Sequence, residues 1–169
     1  MTIQKMTTHI LSAEEKWERV LHAWPLWVAV IVRDVLKKYG DEGRRLIENA
    51  LRNQGEIQGK KVFVERMQVE PNVPGFIEAL SPIMESMGEE WEIVEISEKR
   101  CIQRVTRCRL QERWKVVGAP KDIMCDIWDN YNLGFRRAIN PTNPIHHYHL
   151  KQMYKGDPYC EVVWEIREG

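Results

Sequence analysis

The sequence lacks the features that mark several large protein classes. Its four cysteines, Cys101, Cys108, Cys125 and Cys160, form no CxxC pair, so a structural zinc site would need ligands from distant segments. It carries no surplus of charge, since 25 Lys and Arg balance 25 Asp and Glu. That excludes the basic field by which nucleic acid or an anionic membrane is held. The arginines at 104, 107, 109 and 113 are diluted by Glu112 and by the acidic run before them, and read as a solvated face. The apolar run WPLWVAVIV (24–32) falls far short of the roughly 20 residues that span a bilayer. It follows Glu14, Glu15 and Glu18 rather than a basic leader, and no cleavage signal comes after it. Neither an internal repeat nor a low-complexity tract is present. The expectation is a cytoplasmic protein with reduced thiols.

What remains suits one domain over 1–169, with 43% hydrophobic and 30% charged residues. Residues 1–10 read as frayed, 11–88 as a helical part, and 89–169 as a sheet with two helices. SAEE (12–15) is a capping box that opens a helix running to about Ala23. Pro25 kinks that helix or opens a new one, which stops at Gly40 and is apolar enough to lie in the core. Asp41 caps a third helix that ends near Gly55 or continues to about Met67. Gly55 and Gly59 share one face of it and allow a close helix approach. VEPNVPG (69–75) reads as a loop and FIEALSPIMESMG (76–88) as a short helix interrupted near Pro82. WEIVEISEKRCIQRVTRC (91–108) reads as two strands joined at Ser97–Lys99, the second of them bulged or at an edge. A short helix to Gly118, a clear helix over 120–139, the turn segment NPTNP (140–144) and a final hairpin complete the chain. The order predicts an α+β fold: an antiparallel sheet of about four strands in two hairpins, helices on one face and a helical N-terminal half.

Candidate chemistry gathers in the last 60 or so residues. On the final strand Cys160, Val162, Trp164 and Ile166 share a face that reads as buried. Placing Tyr148, Leu150 and Tyr154 on that face turns His147 and His149 outward, beside Glu161 and Glu165. His146 then lies on the Cys160 face as a base or substrate contact, as does Tyr148. HHYH is therefore not expected to be a metal site, although His147 and His149 with Glu161 or Glu165 would be the arrangement to test. On the helix over 120–139, Cys125, Asp129, Asn132 and Arg136 form one stripe, next to an apolar stripe of Ile127, Tyr131, Phe135 and Ile139. The polar stripe reads as a substrate-facing wall. Alternatively, Asp129 pairs with Arg136 or Arg137 and Cys125 is a small core residue. Most of the seven tryptophans read as core, with one or two walling a pocket for a flat ligand.

The segments YGDEGRRLIENALRNQGEIQG, VTRC, IMCDIWD, INP and KGDPYCEVVW, in that order, resemble the L-2-amino-thiazoline-4-carboxylic acid hydrolase family. The likeness runs from about Tyr39 to the C-terminus, and KGDPYC is also similar to 4-vinyl-reductase-type domains. The family likeness implies a hydrolytic ring opening at an amidine-like carbon between sulfur and nitrogen. It puts Cys108, Cys125, Asp129 and Cys160 in the family's cysteine and acid positions; Arg109 stands where relatives often have Pro. Cys108 or Cys125 would be the nucleophile and Asp129 would hold or protonate the ring nitrogen. Cys160, His146, Asn132, Arg136 and Tyr148 would bind substrate, with Arg136 matched to a carboxylate. The expected partner is a small molecule, with no cofactor, metal, nucleic acid or membrane, and a homodimer is admitted. A non-catalytic sensor domain of the 4-vinyl-reductase type and a metalloprotein are the competing functions.

Overall fold

The computed structural model describes residues 11–142 and 145–167. Residues 1–10, expected to be frayed, and part of the NPTNP turn lie outside the described residues.

The chain opens with helix α1 (Ala13–Gln58). Ser12 Oγ accepts from the Glu15 backbone at 3.1 Å and the Glu15 carboxylate accepts from the Ser12 backbone at 2.7 Å, so the capping box forms as read. Pro25 sits inside this helix without ending it. The break comes at Gly40, whose φ of 54° and ψ of −130° only glycine adopts without strain. The apolar stretch after Pro25 does not lie wholly in the core, contrary to the sequence reading. Its stripe of Leu21, Pro25, Ala29 and Val32 is buried, while Trp27 is 69% exposed and Ile31 61%. The helix packs on one side only.

Beyond Gln58 the helix widens into π-type turns over Gly59–Met67. Helix α2 (Val73–Ser86) begins three residues before the sequence reading placed it. Asn72 caps it by accepting from the Gly75 backbone at 2.8 Å, which turns the expected loop residues into a first turn. Helices α3 (Arg109–Val117) and α4 (Lys121–Ile139) follow the first hairpin. α4 lies against α1 at backbone distance. A Cβ at Gly134 would stand 1.9 Å from the Arg52 carbonyl oxygen, and one at Gly55 2.1 Å from that of Tyr131.

The strands β1 (Glu90–Ile96), β2 (Arg100–Arg107), β3 (His146–Lys151) and β4 (Cys160–Glu165) form one antiparallel sheet ordered β1-β2-β4-β3. The α+β expectation of two hairpins and four strands is met. The edge and bulge belong to β1, not to the central β2. β2 alternates in burial, with Cys101, Gln103 and Val105 inward. Its poor alternation in sequence comes from Gln103, which is held in the core because Trp164 Nε1 donates to its Oε1 at 3.0 Å. The outer face carries ion pairs such as Arg104 with Glu92 and Glu161. The inner face packs on Phe63, Phe76, Leu80 and Phe135. No helix of the described residues is long and apolar enough to cross a membrane.

Candidate functional site

The inner face of the sheet, the start of α3 and the middle of α4 enclose a cavity. It leaves about 70 Å³ for the centres of water-sized molecules, several times the ~10–15 Å³ one water needs on that measure. Apolar walls come from Leu80, Met84, Val105, Leu110, Val162 and the rings of Trp114, Trp128 and Trp164. Into these walls project Cys108, Cys125, Cys160, Glu89, Asp129, Asn132 and His149.

Each polar group arrives by a local rule. The α-helical spacing of Cys125, Asp129 and Asn132 puts all three on the cavity side of α4, as the stripe implied. Cys160 begins β4 on the same face as Val162 and Trp164, as the alternation required; its sulfur accepts from the Met153 backbone at 3.3 Å. Cys108 follows the last residue of β2 and caps the start of α3. Cys101 lies fully buried in the core.

The register of β3 overturns one sequence expectation. His147 pairs with Trp164 and His149 with Val162, so these two histidines share the cavity face with Cys160. Tyr148 and Leu150 point outward, 38% and 53% exposed. His146 pairs with Glu165 on the outer face, so neither His146 nor Tyr148 reaches the cavity. The hydrophobic rule fails here because a carboxylate awaits the imidazoles. Asp129 Oδ1 lies 3.1 Å from His147 Nε2, and Asp129 Oδ2 lies 3.2 Å from His149 Nε2. His147 also stacks on Trp164, with ring centres 5.2 Å apart and planes 23° apart. Asp129 therefore pairs with neither Arg136 nor Arg137 by direct contact. Burial alone would raise the Asp129 carboxyl, but the bonds from His147 and His149 outweigh it and hold it well below the usual carboxylate range. Asp129 is thus held as a carboxylate by the two imidazoles.

Arg136 is buried and does not line the cavity. Its Nε donates to the Asn132 carbonyl at 3.2 Å and Nη1 donates to the Ile145 carbonyl, which ties the entry of β3 to α4. Its guanidinium lies 5.8 Å from the Trp164 ring centre, and burial lowers its pKa to about 10. It is a strut, not a substrate clamp.

Glu89 escaped the sequence reading. It stands immediately before β1, in the charged run GEEWE. Its carboxylate accepts from Cys108 Sγ at 3.5 Å, and burial pushes its pKa up to about 7, against a lowering by that contact. Burial likewise pushes every thiol up: Cys125 to about 12, Cys101 to about 11, Cys160 above its ordinary value and Cys108 well above it. Four cavity residues keep a buried polar atom with no protein partner: Gln111 Nε2, Trp114 Nε1, Asn132 Oδ1 and His149 Nδ1. Such atoms cost ~1–3 kcal/mol each unless something bonds them. No Lys or Arg of the described residues lines the cavity.

A family model described as L-2-amino-thiazoline-4-carboxylic acid hydrolase matches residues 19–164. A search of curated proteins gives no match. Among solved structures, the phenol-responsive sensory domain of the transcription activator PoxR with phenol is similar, with a TM-score of 0.63, 10% identity, and coverage of 86% of this chain and 75% of that one. A trafficking protein particle complex subunit 3 from Naegleria fowleri, covalently bound to palmitic acid, has a TM-score of 0.60, 15% identity, and coverage of 89% and 97%. These likenesses concern the fold alone.

Proposed function

The chain belongs to the L-2-amino-thiazoline-4-carboxylic acid hydrolase family, and from that premise we propose that it is a small-molecule hydrolase opening a compact sulfur- and nitrogen-containing ring at its amidine-like carbon. The observation that carries the reading is convergence: Cys108, Cys125, Cys160, Glu89, Asp129 and His149 surround one cavity. Amidine-like groups are bases. An acid-lined, otherwise apolar pocket with flat indole walls suits an amidinium ring.

Water supplies the oxygen. It bonds to the carbon between sulfur and nitrogen, the ring carbon–nitrogen bond breaks, both water protons end on the departing nitrogen, and the carbon becomes a carbamoyl carbonyl. Glu89, with a pKa of about 7, is the general base: near neutrality it takes a proton from Cys108 or from water and returns it to the nitrogen. Attack by the Cys108 sulfur would give a covalent intermediate that water then releases. Asp129 supplies a fixed negative charge opposite the cationic ring. Cys125, Cys160 and Asn132 line the space the ring fills.

A second reading, a non-catalytic small-molecule-binding domain, is favoured by the raised thiols and by the fold shared with the phenol-responsive sensory domain. One experiment separates the two. The protein is incubated with L-2-amino-thiazoline-4-carboxylate and with the ring lacking its carboxylate, and products are read by mass as the gain of one water. The hydrolase reading expects turnover, reduced at least ~100-fold in Glu89→Gln, the usual scale of a lost general base. Binding of either ring with no gain of water would leave the sensor reading standing and end the first.

A further inference from the structure

The Asp129, His147 and His149 side chains are the most concentrated set of metal-capable groups among the described residues. One donor atom from each lies within 4.8 Å of the others. We infer that these three residues form a binding site for one divalent first-row transition ion, open on its remaining side to the thiol-lined cavity.

Three features support this. The Nε2 atoms of both imidazoles converge on one carboxylate, at 3.1 and 3.2 Å. Ligand atoms held ~2.1 Å from a shared ion stand roughly 3.0–3.4 Å apart, so both nitrogen–carboxylate separations already suit one, and the two nitrogens lie within 4.8 Å of each other. The donor set is two histidines and one carboxylate, which leaves coordination positions open and which zinc and iron sites both use. The set is also held: His147 is fixed by its stack on Trp164, and His147 and His149 project from alternate positions of a paired strand. Without an ion the carboxylate can only accept, so each ring presents Nε2–H to it. An ion displaces those two protons.

The second observation lies one turn along α4. Asn132 is 2% exposed and its Oδ1 has no protein partner, although it lines the cavity. An oxygen in that position can accept from a water held by the ion. The ion's service to ring opening, by making bound water acidic, rests on the hydrolase reading; occupancy of the site does not.

Chelator-free protein is loaded with Zn²⁺ and, separately, with Co²⁺ as a spectroscopic probe. The expected result is one equivalent per chain and a Co²⁺ spectrum of nitrogen and oxygen ligation without a thiolate charge-transfer band. In wild-type protein with ¹⁵N-labelled histidine, Zn²⁺ should convert two of the five imidazoles from Nε2-protonated to Nε2-ligated, a readout that needs no variant to fold. His147→Ala combined with His149→Ala should retain less than a tenth of an equivalent, while Cys108→Ser and Cys160→Ser retain it. Unmoved imidazoles, a thiolate band, or ion retained by the double histidine variant would each overturn the site. A protein that opens the ring yet takes up neither Zn²⁺ nor Co²⁺ would end this inference alone, and a zinc-loaded protein inert to every ring would end the hydrolase reading alone.

Discussion

Glu89→Gln should make the protein more stable above neutrality while disabling it. Burial raises the Glu89 carboxyl from its ordinary 4.5 to about 7. A group raised in the folded state binds its proton more tightly there than in the unfolded chain. Its contribution is therefore fully present below pH 4.5 and is lost as the pH rises through about 7. The total is about 3 kcal/mol, most of it falling between pH 5 and pH 8. Glutamine keeps the shape and the acceptor oxygen toward Cys108 but does not ionise. Urea unfolding of both proteins at pH 5 and pH 8 isolates the effect, because every other titrating group is shared. The wild type should lose stability relative to the variant on going to pH 8, with unchanged m-values. Parallel pH dependence in the two proteins would refute the buried carboxyl and remove the proposed base with it.

Other consequences follow from the same contacts. Gly134→Ala should cost about 3 kcal/mol or more, because the new methyl meets the Arg52 carbonyl across the α1–α4 contact. Gly118→Ala, at φ +65° in open space, should cost only about 1–2 kcal/mol; equal losses in denaturant titrations would contradict the close approach. Asp129→Asn should cost roughly 2–4 kcal/mol at pH 7 by removing a buried partner of two imidazoles. The Asp129 carboxyl is held low in the fold, so that stabilisation is present above its ordinary value of 3.8 and fades as the pH falls below it; acid-unfolding curves of the two proteins should converge there. Iodoacetamide should label all four thiols slowly at pH 8, since burial raises each. A fast-reacting Cys101, Cys125 or Cys160 would mean a cation or base near it that the contacts above do not include.

Much of the frame was legible in local pattern. Ser12 and Glu15 announced a helix start through capping chemistry that involves only three intervening bonds of chain. Gly55 and Gly59 announced a close neighbour because nothing else explains two side-chain-free positions on one face. Cys125, Asp129 and Asn132 announced a wall because helical spacing fixes which residues share it. The face of β3 was not legible. Alternation there offers Tyr148 and Leu150 as the buried set, and only a carboxylate about 20 positions earlier in the chain makes His147 and His149 the inward pair. Gln103 and Glu89 were hidden for the same reason. A polar residue goes inward when a distant partner meets it, and no local pattern names that partner. Arg136 shows the converse: its position on the stripe was right, but its donors are taken by backbone carbonyls.

The pH dependence of kcat/KM for ring opening bears most directly on the proposed chemistry. A base that works as its carboxylate should make the wild-type rate rise with pH and level off above about 7, and Glu89→Gln should leave a low rate without that rise. An identical profile in both proteins, or a variant as fast as the wild type, would contradict it.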